Sequence, residues 1–203
     1  MKNKVLIFGG SFSPPTLAHE AIIKQCLLLP NFDQVWVMPS ADRPDKTMAM
    51  TIQDRLQMLE LIKAKNFSGD PRLHVSDFEL NLSRPTQTYR TVKELEKAYP
   101  ATEFCFVFGM DAYKDMPKWP HGEELRKMLR MVIFDSSKKA ASLGDNVINL
   151  KLNGELGDIS STQVRQALAA GQSLEGLVSK PVANYLTRAS NSLASLRKPG
   201  KSS

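Results

Sequence analysis

A chain of 203 residues, 42% hydrophobic and 24% charged, has the length and balance of one globular domain with a sizeable core. No run approaches the ~20 apolar residues of a membrane span, and the opening Met-Lys-Asn-Lys runs straight into a short strand, glycines and prolines, which does not read as a signal peptide. The net charge of +6 is concentrated at one end. Arg188, Arg197, Lys198 and Lys201 supply four positive charges within residues 188–203, with no acid among them, so the body is only mildly basic, which argues against a nucleic-acid face and for a small phosphate-rich ligand at a local site.

The first predicted strand, Val5–Phe8, enters Gly9-Gly10 and a polar loop with Pro14 and Pro15. Glycines let the chain turn sharply and let a ligand approach the backbone, and the prolines bar helix until they have passed. Thr16 is a good N-cap for a helix over Leu17–Leu29, and His19 falls in its first turn. Gln34–Ser40 reads as a second strand, followed by a loop carrying Arg43, Asp45 and Lys46. Thr51 with Asp54 opens a second helix whose Ile52, Leu56, Leu59 and Ile62 form one apolar stripe.

A third strand is expected over Leu73–Leu80, with His74 in it as a strand residue of no chemical role, and a helix over Thr88–Ala98. The densely apolar Glu103–Phe108 is the fourth strand, as befits one buried on both faces. It leads into Gly109-Met110-Asp111 and a polar, aromatic loop with Trp119, Pro120 and His121, then a short helix from Glu123. Met131–Asp135 and Asn146–Leu152 complete the strands, a helix follows Ser160, and a final helix opens at Pro181 and ends near Arg188. Strands alternating with helices imply an α/β domain: a doubly wound parallel sheet of about six strands covered on both faces. The domain is expected over residues 1–188, with a basic, poorly ordered tail over 189–203. Cys26 and Cys105 are too few for a zinc cluster and read as core residues of a reducing cytoplasm.

Four segments directly follow strands, where open parallel sheets bind ligands: Gly9–His19, the Arg43–Lys46 loop, Gly109–Asp111, and the stretch from Ile159 through Ser160, Ser161 and Thr162 to Arg165. The last offers three hydroxyls, free helix N–H groups and a guanidinium, a set suited to a polyphosphate. Each segment alone also fits a plain reading: a turn, an ordinary cap, a solvated charge.

Taken together, GGSFSPPTLAH and ISSTQVR resemble the two signatures of the nucleotidylyltransferase superfamily, (H/T)xGH and ISSTxxR. The intervening VWVMPS, RPDK, TIQDRLQML, RPTQTYRTV and FVFGMDAYKDMPKW are similar to nicotinate/nicotinamide mononucleotide adenylyltransferase over roughly residues 3–188. The resemblance implies a Rossmann-like fold and an enzyme of NAD biosynthesis that joins ATP and a pyridine mononucleotide, releasing pyrophosphate. It implies ATP binding by Gly9, Gly10, Ser11, Phe12, His19, Gly109, Asp111, Ile159, Ser160, Ser161, Thr162 and Arg165, with Mg²⁺ accompanying ATP. His19, Arg165 and Thr16 would act on the phosphates, and Ser11, Lys46, Thr88, Tyr89 and Trp119 would hold the mononucleotide. No protein-held metal, nucleic acid or membrane partner is implied; an oligomer is compatible. Three positions depart from the pattern: Thr16 for the first histidine, Ala18 for glycine, and Asp45 for a histidine. The alternatives are a sister adenylyltransferase, such as one acting on pantetheine phosphate, and a non-catalytic adenine-nucleotide-binding module.

Overall fold

The computed structural model describes residues 2–41, 48–83, 86–135, 146–151 and 159–196, with backbone only for 151 and 190–196. Six strands, β1 (Asn3–Gly10), β2 (Gln34–Pro39), β3 (Leu73–Val75), β4 (Thr102–Gly109), β5 (Arg130–Asp135) and β6 (Val147–Lys151), form one sheet in the order β3-β2-β1-β4-β5-β6. Every pairing is parallel. The chain winds outward from β1 in one direction through β2 and β3, and in the other through β4, β5 and β6. The reversal lies between β1 and β4, and a crevice opens there beyond the strands' carboxyl ends.

Because side chains alternate across a strand, each central strand feeds two cores. Leu6, Phe8, Val35, Val37, Cys105, Val107, Val132 and Phe134 face one side, where they meet helices α1 (Leu17–Leu27), α2 (Ile52–Asn66), α6 (Ser161–Ala169) and α7 (Lys180–Leu196). Val5, Ile7, Met38, Phe104, Phe106, Met131 and Ile133 face the other, under α3 (Thr88–Ala98), α4 (Met110–Asp115) and α5 (Gly122–Met128). Both thiols are free and buried among these residues, and burial pushes both pKa values up, so they stay protonated and apolar in character. Burying Met58, Leu59 and Ile62 anchors α2, each contributing about 1.5–3 kcal/mol. No helix among the described residues is long and apolar enough to cross a membrane.

The structure corrects three boundaries. The strand expected over Leu73–Leu80 stops at Val75: Ser76 N–H still reaches Val37 O at 2.9 Å, but Leu80 N–H turns back to Asp77 O at 2.9 Å and a 3₁₀ turn forms over Phe78–Asn81. The aromatic loop after β4 begins with helix α4, whose Met110 and Tyr113 are buried three residues apart. The last helix continues past Arg188 to Leu196; residues 197–203 lie outside the described residues.

Candidate active site

The phosphate end is built by a contact between segments some 150 residues apart. Ser160 N-caps α6 and forms a capping box with Gln163, whose Oε1 accepts the Ser160 N–H at 2.7 Å. Ser161 donates its hydroxyl to Pro14 O at 2.8 Å. Arg165 donates to Ser13 O at 2.8 Å and to the Thr162 hydroxyl at 3.0 Å. The start of α6 is thereby clamped to the loop that follows β1. The side chains of Ser161 and Arg165 make this junction, while the Ser160 hydroxyl is engaged within its own helix cap. The N–H groups of the first helical residues, Ser161 and Thr162, have no partner within a helix by construction, and they present the positive end of the α6 dipole. Ile159 is half-buried directly before them.

The α1 end shows the same economy with a different residue. Thr16 is the N-cap of α1 and is fully buried. His19, at the third helical position, returns to it: Nδ1 accepts the Thr16 N–H at 3.0 Å and lies 2.8 Å from the Thr16 hydroxyl. An amide can only donate, so Nδ1 is the acceptor nitrogen, and the neutral ring carries its proton on Nε2. Burial lowers the His19 pKa from 6.5 to about 4, which keeps the ring neutral at physiological pH. Phe12 packs edge-on against His19 with centroids 5.0 Å apart and against Phe8 at 5.3 Å. The Phe12 side chain is fully enclosed, so only its backbone can serve a ligand. Ala18 is buried as well. Thr16 therefore acts through His19, which it aligns, with its hydroxyl turned to the imidazole.

Gly9, Gly10 and Ser11, at the end of β1, line a cavity of about 800 Å³ that extends toward β2, α3 and α4. A Cβ at Gly10 would lie 3.2 Å from the Phe12 ring, close enough that the enclosed ring would have to shift by a few tenths of an ångström to admit it. The rest of the wall is Met38, Ser40 and Met48 on one side, Glu79, Thr86, Gln87, Thr88 and Thr91 on another, and Phe106, Phe108 and Trp119 on the third. Trp119 stands edge-on to Phe108 with centroids 6.1 Å apart, at once a cavity wall and a core contact. Its loop is fixed from below, because a Cβ at Gly122 would fall 1.7 Å from Met116 O. Thr88 opens α3 at the cavity, behind an N-cap, Gln87, that makes no side-chain cap bond and with no acid in the first turn. The Tyr89 side chain turns away: its hydroxyl donates to Glu124 at 2.8 Å and its ring stacks on His121 at 4.3 Å. Only the Tyr89 backbone belongs to the α3 terminus facing the cavity.

Gly109 and Asp111 are exposed where β4 passes into α4, across the crevice from β1. Lys46, with Arg43 and Asp45, lies outside the described residues. Sequence reasoning missed Arg55 and Glu79. Arg55 is fully buried, and its signal was its place on the apolar stripe of α2, three residues after Ile52 and four before Leu59. Glu79 was hidden by the strand assigned across it.

Comparison with known proteins agrees with this geometry. The model of the cytidylyltransferase-like family matches residues 7–167. The chain is 31% identical over 186 residues to a Geobacillus thermodenitrificans protein named "Probable nicotinate-nucleotide adenylyltransferase", covering 90% of this chain and 83% of that protein. Among solved structures, Plasmodium falciparum nicotinic acid mononucleotide adenylyltransferase complexed with NaAD matches with a TM-score of 0.83 at 22% identity, covering 92% of this chain and 96% of that one. The same protein complexed with APC gives 0.80 at 21% identity, covering 93% and 96%. These two show the shared fold, while the family model and the bacterial relative show descent: the chain belongs to the cytidylyltransferase-like family and, within it, to the nicotinate-nucleotide adenylyltransferases.

Proposed function

We propose that the protein transfers the adenylyl group of ATP to nicotinate mononucleotide, giving deamido-NAD and pyrophosphate. The observation that carries the reading is the junction of Ser13 and Pro14 with Ser161 and Arg165, which joins two helix N-termini into one anion site beside a cavity of nucleotide size. A phosphate oxygen of the mononucleotide attacks the α-phosphorus of ATP in line, a new P–O–P bond forms, and the bond to pyrophosphate breaks. The reaction needs no covalent protein intermediate, so positioning and charge stabilisation do the work. His19 donates Nε2–H to a phosphate oxygen and, being neutral, does so without a proton transfer. The α6 N–H groups, the Thr162 hydroxyl and the free donors of Arg165 hold the departing phosphates. Gly9 and Gly10 allow the chain after β1 to approach the reacting centre, with Ser11 beside them.

Mg²⁺ enters this reading with ATP, where it spreads the negative charge of the leaving pyrophosphate. Among the described residues no three His, Cys, Asp or Glu side chains gather into a cation site. The groups at the phosphate end are hydrogen-bond donors, a set that fits a metal carried by phosphate oxygens and water. Asp111 and Gly109 face the adenosine side, where a carboxylate accepts from ribose hydroxyls. The family resemblance assigns Lys46, which lies outside the described residues, to the mononucleotide phosphate.

Nicotinate is favoured over nicotinamide because the open N-terminus of α3 has neither a side-chain cap nor an acid. Its amides and dipole suit a carboxylate, with Trp119 beside it for the ring. Free buried thiols suit a reducing cytoplasm. The test is pyrophosphate release with ATP and Mg²⁺, offering nicotinate mononucleotide, nicotinamide mononucleotide and phosphopantetheine separately. Highest kcat/KM with the nicotinate form is expected. Turnover with phosphopantetheine alone would place the enzyme in the sister activity, and ATP binding without turnover on any acceptor would make it a binding module.

A further inference from the structure

Beneath the mouth of the cavity, one cation touches the loops after two different strands. Arg55, fully buried on α2, donates through one terminal nitrogen to Ser11 O at 3.1 Å and to Ser40 O at 2.7 Å. Ser11 ends the β1 turn and Ser40 follows β2, and both line the cavity. The next peptide link is held from its other side: the Ala41 N–H donates to Glu79 Oε1 at 3.2 Å, and the Thr86 hydroxyl meets the same oxygen at 3.4 Å. Glu79 is itself a cavity residue; burial pushes its pKa up, while these hydrogen bonds and the nearby Arg55 charge act to lower it. The Ser40–Ala41 peptide is thus gripped by its carbonyl and its N–H at once, between a buried guanidinium and a half-buried carboxyl.

The Ser11 carbonyl matters for a second reason. In a trans peptide the C=O and the following N–H point in opposite directions. With the Ser11 carbonyl drawn to Arg55, the Phe12 N–H is turned away from Arg55. Phe12 stands at φ 45°, a left-handed conformation unusual for an aromatic residue. Such backbone persists only when its surroundings fix it, and it concentrates at functional sites. Here the Phe12 ring is locked under His19 on one side, and Arg55 holds the preceding carbonyl on the other.

We infer that Arg55, with Glu79, is a positioning residue of the transfer reaction: it fixes the orientation of the Ser11–Phe12 peptide and the spacing between the loops after β1 and β2, so that the backbone donors of the phosphate site stand ready before substrate arrives. The inference rests on the proposed adenylyl transfer. Arg55 touches no substrate and acts through the two carbonyls it holds. Within the transition state, a misaligned donor loses more than it does in the ground state, so kcat responds more than KM.

The experiment compares wild type with Arg55→Lys, Arg55→Met and Glu79→Gln. It measures kcat and KM for pyrophosphate release, ATP affinity by calorimetry, and thermal midpoints, with all assays well below each midpoint. Arg55→Met is expected to lose about 10²-fold in kcat, with a smaller change in KM for ATP. Arg55→Lys, which keeps a charge able to donate to the carbonyls but not the fixed geometry of the guanidinium, should recover about tenfold of that loss and stay about tenfold below wild type in kcat. Glu79→Gln, which keeps Oε1 as an acceptor, should stay within about threefold of wild type. A folded Arg55→Lys or Arg55→Met with wild-type kcat and wild-type ATP affinity would overturn the inference and leave Arg55 a packing residue. If Arg55→Met does not fold, wild-type values in Arg55→Lys together with a tenfold fall in Glu79→Gln would contradict it. If wild type turns over none of the three acceptors, the proposed function fails. Arg55 is then judged on ATP affinity, which its role requires to weaken in Arg55→Lys.

Discussion

The two faces of the sheet end their helices differently. On one side, α1, α2 and α6 close their own N-termini with capping boxes: Thr16 with His19, Thr51 with Asp54, and Ser160 with Gln163. On the side of α3, α4 and α5, none of the N-caps makes a side-chain bond. The first arrangement satisfies some helix donors internally and, in return, fixes the residues proposed to meet phosphate. His19 is oriented because it is part of a cap, and Arg165 is oriented because α6 is docked on the β1 loop. At α3 the second leaves amides open toward the cavity, where a ligand can take the place of the missing cap. Rigid donors suit a reaction centre whose charge must be met without rearrangement. Open amides suit recognition of a substrate group that completes the helix.

Removing His19 should break the rigid side most severely. His19→Ala is expected to lower kcat by about 10²–10³-fold, the cost of one donor at a developing charge, while ATP affinity changes far less. Equal losses in the two would place His19 in ground-state binding. The open side is best tested by closing it. Gln87→Asp gives α3 its own acidic cap, which should stabilise the helix by about 0.5–1 kcal/mol. It should also raise KM for nicotinate mononucleotide about tenfold, equivalent to ~1.4 kcal/mol, and leave nicotinamide mononucleotide much less affected. Parallel changes for both substrates would mean that α3 does not read the acid. Trp119→Ala should raise the mononucleotide KM by up to about tenfold, in keeping with the loss of an aromatic contact, with KM for ATP unaltered; an unchanged mononucleotide KM makes Trp119 a core anchor only.

The capping box of α2, whose own side chains are given no ligand, provides the control. Thr51→Ala removes a cap whose hydroxyl accepts the Asp54 N–H at 3.1 Å, and should cost ~1 kcal/mol of stability by denaturant titration with kcat preserved. The smallest expected effect is on pH dependence. His19 titrates near 4 in the folded protein and near 6.5 when exposed. Its folded pKa is depressed, so its contribution to stability is full above 6.5 and falls as pH drops from 6.5 toward 4, where the unfolded chain takes up the proton first. Over the same interval the folded ring stays neutral. The kcat–pH profile should therefore show no inflection near 6.5 assignable to His19, and one that disappears in His19→Ala would contradict the neutral-donor role.

The sheet was legible because its central strands are apolar on both faces and alternate with helices at short intervals. Thr88–Ala98 coincides with α3, whose apolar residues keep a helical period. The two signature segments were legible through their resemblance to a known pair of motifs, but their meeting was not, because β6 lies three strands from β1 and only the bonds of Ser161 and Arg165 to Pro14 and Ser13 join them. What the sequence hid was conformational or non-local. His74 to Leu80 mixes apolar and polar residues in a way that fits strand or turn, and only the Asp77 carbonyl, bonded to Leu80 N–H, decides for the turn. The helix at Met110 was masked by its polar neighbours, although Met110, Tyr113 and Met116 are all buried. Tyr89 looked like a pocket residue by its motif, yet its side chain belongs to the Glu124–His121 contact. Arg55 was not singled out, because sequence cannot show two carbonyls arriving from loops 15 and 44 residues away.

The most direct test is a crystal structure of the protein with deamido-NAD bound. The phosphates are expected between the Gly9–Ser11 turn and the start of α6, with a phosphate oxygen within hydrogen-bond distance of His19 Nε2. The pyridine carboxylate should sit on the Thr88 and Tyr89 amides, with the ring against Trp119. A dinucleotide whose phosphates lie away from the α6 terminus, or whose carboxylate faces solvent while α3 stays open, would contradict the division between a rigid phosphate side and an open recognition side.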